Sequence, residues 1–192
     1  DFDGDGQAEL VFWNQRAGTL FLAEITADPR NAPNWPLTPI YRWTGGIEHE
    51  GLAKADIDGD GIIDLVGGGR WFKFTGGGSY TPMIIDDSQR FSRAAAGQLI
   101  PGGAPEVVFG CGDCTGPLKW YARQGDTWVG HELLSADLKK GHSWALADFN
   151  GDGALDIFTA EMRLNGDNDN AKMLVLLGDN QGTFTPALVA TG

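Results

Sequence analysis

The chain has 192 residues, a net charge of −12, 29 glycines, seven tryptophans and two cysteines. That length is enough for a sizeable core in one domain or in a tight repeat array. No basic stripe is present, which argues against a nucleic-acid partner. No apolar run approaches the roughly 20 residues of a membrane span, which argues against insertion.

In chain order, the first feature is an acidic nonapeptide, residues 1–9 (DFDGDGQAE), followed by the apolar run Leu10–Trp13. It begins at a candidate ligand with no signal peptide before it, the expectation for a processed or truncated product. A proline-rich stretch over 28–39 reads as an ordered surface loop. A second nonapeptide, residues 56–64 (DIDGDGIID), precedes Leu65-Val66. The third repeat is degenerate: residues 98–106 (QLIPGGAPE) keep Gly103 and Glu106 but carry Ile100 and Gly102 where carboxylates belong. The turn is expected to survive there without a metal. Its strands are predicted over Ala94–Leu99, Glu106–Phe109, Leu118–Arg123 and Thr127–Leu134, with a short helical turn over Ser135–Lys140. The last copy, residues 148–156 (DFNGDGALD), precedes Ile157-Phe158, and Phe184–Ala190 is a further strand.

Each acidic loop places oxygen side chains at positions 1, 3, 5 and 9 and Gly at 6. A hard cation such as calcium takes six to eight oxygen ligands in irregular geometry. The candidate ligands are Asp1, Asp3, Asp5, Gln7 and Glu9; Asp56, Asp58, Asp60, Ile62 and Asp64; and Asp148, Asn150, Asp152, Ala154 and Asp156. Gln7, Ile62 and Ala154 would each offer a backbone carbonyl. The loops hold eleven of the 26 acidic residues, so about three Ca²⁺ ions would neutralise much of the excess charge. Helix-flanked calcium loops close with a carboxylate at position 12; here the closing group is at 9 and a β-type run follows at once. Calcium sites of modest affinity fill at the millimolar concentrations found outside the cell, so secretion is the expectation.

The repeats start at 1, 56, 98 and 148, spaced by 55, 42 and 50 residues. Such periods belong to propellers and related arrays. Four short strands per period make the blade of an all-β propeller.

These loops, the Ala55-Asp56 and Ala147-Asp148 pairs before two of them, and the Gly178–Phe184 turn resemble the FG-GAP or VCBS repeat family. The resemblance implies a β-propeller, commonly seven-bladed, as in integrin heads and secreted carbohydrate-active proteins. About four repeats would then form a single domain, or a segment of a larger propeller completed by further blades. The loop would join the innermost strand of each blade to the next. The implied roles are carbohydrate or protein recognition, catalysis on sugars as a polysaccharide lyase or dehydratase, or a scaffold.

On that frame the strands before the loops, Glu48–Lys54, Arg90–Ala94 and Lys140–Ala145, line a central channel. His49, Glu50, Arg90 and His142, with Ser92 and Ser143, would gather at its mouth. Such a group could bind an anionic sugar, hold a metal or act as acid and base. Trp71, Phe72, Trp120, Tyr121, Trp128 and Trp144 read first as packing between blades and second as sugar-stacking faces. Cys111 and Cys114 are candidates for a local disulfide, a redox site or half a metal site; a secreted setting favours the disulfide. Residues 165–170 read as a polar hairpin loop. No nucleophile-elbow, zinc-protease or phosphate-cradling motif is present.

Overall fold

Short apolar runs between Gly- and Asp-rich turns become short antiparallel strands throughout the computed structural model, which describes residues 1–2, 5–44, 49–89, 91–163 and 166–192. The protein is all-β, built of several antiparallel sheets. The first has three strands, β1 (Glu9–Asn14), β2 (Thr19–Glu24) and β3 (Leu37–Arg42), in the order β1-β2-β3. The second pairs β4 (Ala53–Ala55), β5 (Asp64–Gly67), β6 (Arg70–Gly76) and β7 (Ser79–Ile84) in sequence order. The third runs β8 (Ser92–Gly97), β9 (Glu106–Cys111), then β11 (Lys119–Gln124) and β12 (Thr127–Glu132). The fourth is β14 (Gly141–Ala147), β15 (Asp156–Glu161), β16 (Lys172–Gly178) and β17 (Phe184–Thr191). A ribbon of β10 (Thr115–Gly116) and β13 (Leu138–Lys139) completes the described strands.

The nonapeptides 56–64, 98–106 and 148–156 each join the first strand of a sheet to the second, closing the pairs Ala55↔Asp64, Gly97↔Glu106 and Ala147↔Asp156. Glycine at position 6 turns each acidic loop through positive φ: +88° at Gly6, +85° at Gly61 and +86° at Gly153. Side chains with a Cβ rarely enter that region.

Strand alternation feeds two cores from one sheet. In β9, Val107 and Phe109 pack with Val66 and Trp71 of the second sheet and with Ile57 of its 56–64 loop. Val108, between them, packs with Leu118, Ile157 and Leu176 toward the fourth sheet. In β11, Tyr121 joins the former group and Trp120 the latter. A third cluster, Leu20, Leu65 and Phe72, joins the first sheet to the second. The sheets therefore pack face to face in sequence. Their first strands also meet, because β8 lies beside both β4 and β14.

Two expectations are corrected. No helical turn forms over Ser135–Lys140: Leu138 and Lys139 instead pair with Gly116 and Thr115, and Leu138 is buried. The surface stretch 28–39 ends in strand, since β3 begins at Leu37 and includes Pro39. Proline is tolerated there because β3 is the edge of its sheet, where a missing N–H breaks no ladder. The third repeat's strands keep their order, with boundaries shifted by one or two residues.

Candidate functional site

The acidic loops are ordered first by their own backbones. The Asp56 carboxylate accepts from the N–H groups of Gly59 (2.8 Å), Asp60 (3.1 Å) and Gly61 (2.9 Å). Asp148 repeats the pattern with Gly151 (2.7 Å), Asp152 (3.1 Å) and Gly153 (2.9 Å). These donors, Gly153 foremost, hold the Asp148 carboxyl below the usual carboxylate range. Position 5 accepts from the N–H of position 7 in all three loops: Asp5 from Gln7, Asp60 from Ile62 and Asp152 from Ala154.

Position 9 is a second anchor. Asp64 accepts from Ile57 N–H (3.2 Å) and Phe74 N–H (3.0 Å), and Asp156 from Phe149 N–H (2.8 Å) and Gly178 N–H (2.9 Å). Glu9 accepts from Phe2 N–H at 2.5 Å. Burial pushes the Asp64 carboxyl up to about 6, against the pull of the Phe74 and Ile57 donors, and the neighbouring Asp60 and Asp56 add to the rise.

Two observations test whether a hard cation fits. Asp56, Asp58 and Asp64 each bring a carboxylate oxygen within 4.8 Å of the others, and so do Asp1, Asp5 and Glu9. Oxygens that all bind one ion at about 2.3–2.6 Å lie within roughly 5 Å of one another. Asp58 Oδ1 and Glu9 Oε1 are buried without a hydrogen-bond partner among the described residues. Buried carboxylate oxygens left without a donor are costly unless a cation meets them. The donors thus fit a calcium-like ion in the loops at 1–9 and 56–64. In 148–156 the side chains turn onto the loop itself, with Asn150 Nδ2 donating to Asp152 at 2.8 Å. Asp3, a candidate ligand, lies outside the described residues.

A second polar group forms where the first strands begin, at the other end from the loops. Arg93, the second residue of β8, reaches across to β14 and donates from Nη2 to the His142 ring, 2.5 Å from Nε2. Its Nε lies 3.5 Å from Glu50 Oε2, and His142 Nε2 lies 3.5 Å from Asp113 Oδ1. Asp113 sits in the turn closed by the Cys111–Cys114 disulfide, whose Cα atoms are 5.3 Å apart. A Cβ at Gly112 would collide with the Glu50 carboxylate, so glycine there admits the charge. A pocket of about 370 Å³ adjoins the group, with Trp13, Gln15, His49, Leu52, Glu50 and Arg93 in its lining.

The structure brings Glu50 and His142 together through Arg93, while His49 enters only the lining of the adjoining pocket. His49 is 2% exposed and packs between Trp13 and Trp43, with ring centroids at 4.6 and 4.3 Å. Arg90 and Glu48 lie outside the described residues, as does Asn165 of the polar loop at 165–170. Arg93 and Asp113 were missed from sequence. Neither recurs in the repeats, and only the Ser92↔Cys111 pairing of β8 with β9 carries both to this end.

Trp71, Phe72, Trp120 and Tyr121 are buried in the cores, with Trp128 and Trp144 packed against them. They serve as packing between sheets.

Residues 1–67 match the family described as FG-GAP-like repeat. No curated protein matches the chain.

Proposed function

We propose, from the FG-GAP-like repeat that the chain carries over residues 1–67, that it is a calcium-stabilised, extracellular β-propeller arc that recognises a carbohydrate or protein ligand. Three sheets place a nonapeptide loop between their first and second strands, and those first strands lie side by side, as blades around an axis would. Calcium is structural in this reading. The observation that carries it is Asp58 Oδ1, a buried carboxylate oxygen with no donor among the described residues, beside carboxylates close enough to share one ion. Ligand contacts fall at the opposite end, in the pocket beside Glu50 and Arg93. A glycan array in calcium, including acidic polysaccharides, tests recognition. Selective binding lost on Arg93→Ala supports the reading; a folded, calcium-loaded sample with no binding turns it toward a scaffold.

One observation favours a second reading, an enzyme acting on sugars as a lyase or dehydratase. Arg93 joins Glu50 and His142, supplying a base, an acid and a cation for a substrate carboxylate. Turnover of an acidic polysaccharide, lost in His142→Ala at unchanged melting temperature, would decide for it.

A further inference from the structure

Two of the loops carry the same residues at positions 1, 4, 5, 6 and 9; among the positions with oxygen side chains they differ only at 3, where 56–64 carries Asp58 and 148–156 carries Asn150. The strand facing each loop differs in step. Phe74 and Gly178 are equivalent, since each donates its N–H to the position-9 carboxylate. The residues just before them are therefore equivalent too: Lys73 beside the first loop and Leu177 beside the second. The Lys73 ammonium bonds Asp58 Oδ2 and lies 3.1 Å from Asp60 Oδ2. The copy with the extra carboxylate thus has the extra ammonium, and the copy with the amide has an apolar residue.

We propose that Lys73 is the resident counter-cation of the 56–64 loop: it offsets the charge of Asp58 and sets how tightly the loop takes a divalent cation. The inference rests on the calcium reading above. With Lys73 in place, four carboxylates and one ammonium present the same net charge as the three carboxylates of 148–156. Lys73 takes one oxygen of Asp58 and leaves Oδ1, buried and without a hydrogen-bond partner among the described residues, for the ion. An ammonium this near a bound divalent ion repels it, and solvent screens the pair only in part, because the Asp58 side chain is 14% exposed and that of Lys73 35%. Without Lys73 the loop holds four carboxylates with no internal cation. It is then less stable alone and more attractive to calcium.

Calcium titration by calorimetry, with melting curves in calcium and in chelator, tests this on the wild type, Lys73→Met and Asp58→Asn/Lys73→Met. Lys73→Met should bind calcium roughly tenfold tighter or more at one site and melt lower than wild type in chelator. The double variant, which copies the charge pattern of 148–156, should return both quantities toward wild type. If Lys73→Met matches wild type in affinity and in chelator melting while the chain still binds calcium, the proposal fails and the calcium reading stands. If neither protein binds calcium, both fall. Lys73→Gln, which keeps a polar stem without the charge, should behave as Lys73→Met; a gain confined to methionine would assign the effect to packing and overturn the proposal.

Discussion

Leu99 donates its backbone N–H to the Glu106 carboxylate at 2.8 Å, across a loop that has lost its other acidic positions. Ile100 donates to the same oxygen at 3.1 Å. The bond from position 2 to position 9 is the one seen at Phe2–Glu9, Ile57–Asp64 and Phe149–Asp156. The closing carboxylate therefore has a structural duty that does not depend on a metal. Glu106→Ala should remove the carboxylate shared by two N–H groups, leaving Leu99 only its bond to the Gly97 carbonyl (3.0 Å), and destabilise the fold by about 1–3 kcal/mol. Urea unfolding should show equal losses in calcium and in chelator. A loss that appears only in calcium would mean that this loop too takes a cation.

Tyr121 and Asp86 tie the third sheet to the second, with the phenol donating to Asp86 Oδ2 at 2.7 Å. Burial alone would raise the Asp86 carboxyl, but bonds from Ser88 and Tyr121 outweigh it and hold the group below its usual range. Burial, with the adjoining carboxylate, pushes the Tyr121 phenol up, so it stays a donor at neutral pH. A carboxyl depressed in the folded state lends stability above its unfolded value, near 3.9, and loses it as pH falls through the folded value. Tyr121→Phe should cost about 1–3 kcal/mol at neutral pH. The gap to wild type should narrow as pH falls below about 4, and urea unfolding across that range checks it. A gap that stays constant would remove the bond's charge from the account.

Arg93 bridges the second and fourth sheets through Glu50 and His142. If the group serves recognition, Arg93→Ala should weaken an acidic glycan at least tenfold, about the 1.4 kcal/mol per decade of affinity. The melting temperature should move by only a few degrees, because Arg93 is partly exposed and such pairs contribute little to stability. Binding titrations beside melting curves separate the two. Collapse of the fold in Arg93→Ala would make the group structural.

The repeat frame was legible because its signals are local. Gly6, Gly61 and Gly153 take positive φ, and the carboxylates at alternating positions recur with them. The β9 strand was legible as a buried run, since Glu106–Cys111 is apolar apart from its first residue and its two small ones. What escaped depends on pairing between distant segments. Lys73 meets Asp58 only through the register Leu65↔Phe72, which no spacing in the chain records. His49 reads as a polar strand end and is in fact packed between Trp13 and Trp43, because Trp13 and Gln15 donate to the carbonyls of Gly51 and His49. The β10–β13 ribbon was hidden because two-residue strands carry no periodicity.

Chelation should reveal whether the loops need an ion at all. At calcium a hundredfold above its dissociation constant, one structural site adds about 2.7 kcal/mol. For a chain of this size that corresponds to a rise of roughly 5–11 °C in melting temperature.

The most direct test is therefore thermal unfolding of the chain in millimolar calcium and in chelator, with Asp60→Ala beside the wild type. The wild type should melt several degrees higher in calcium, and Asp60→Ala should lose part of that rise. Identical melting of both proteins in both solutions would contradict the account.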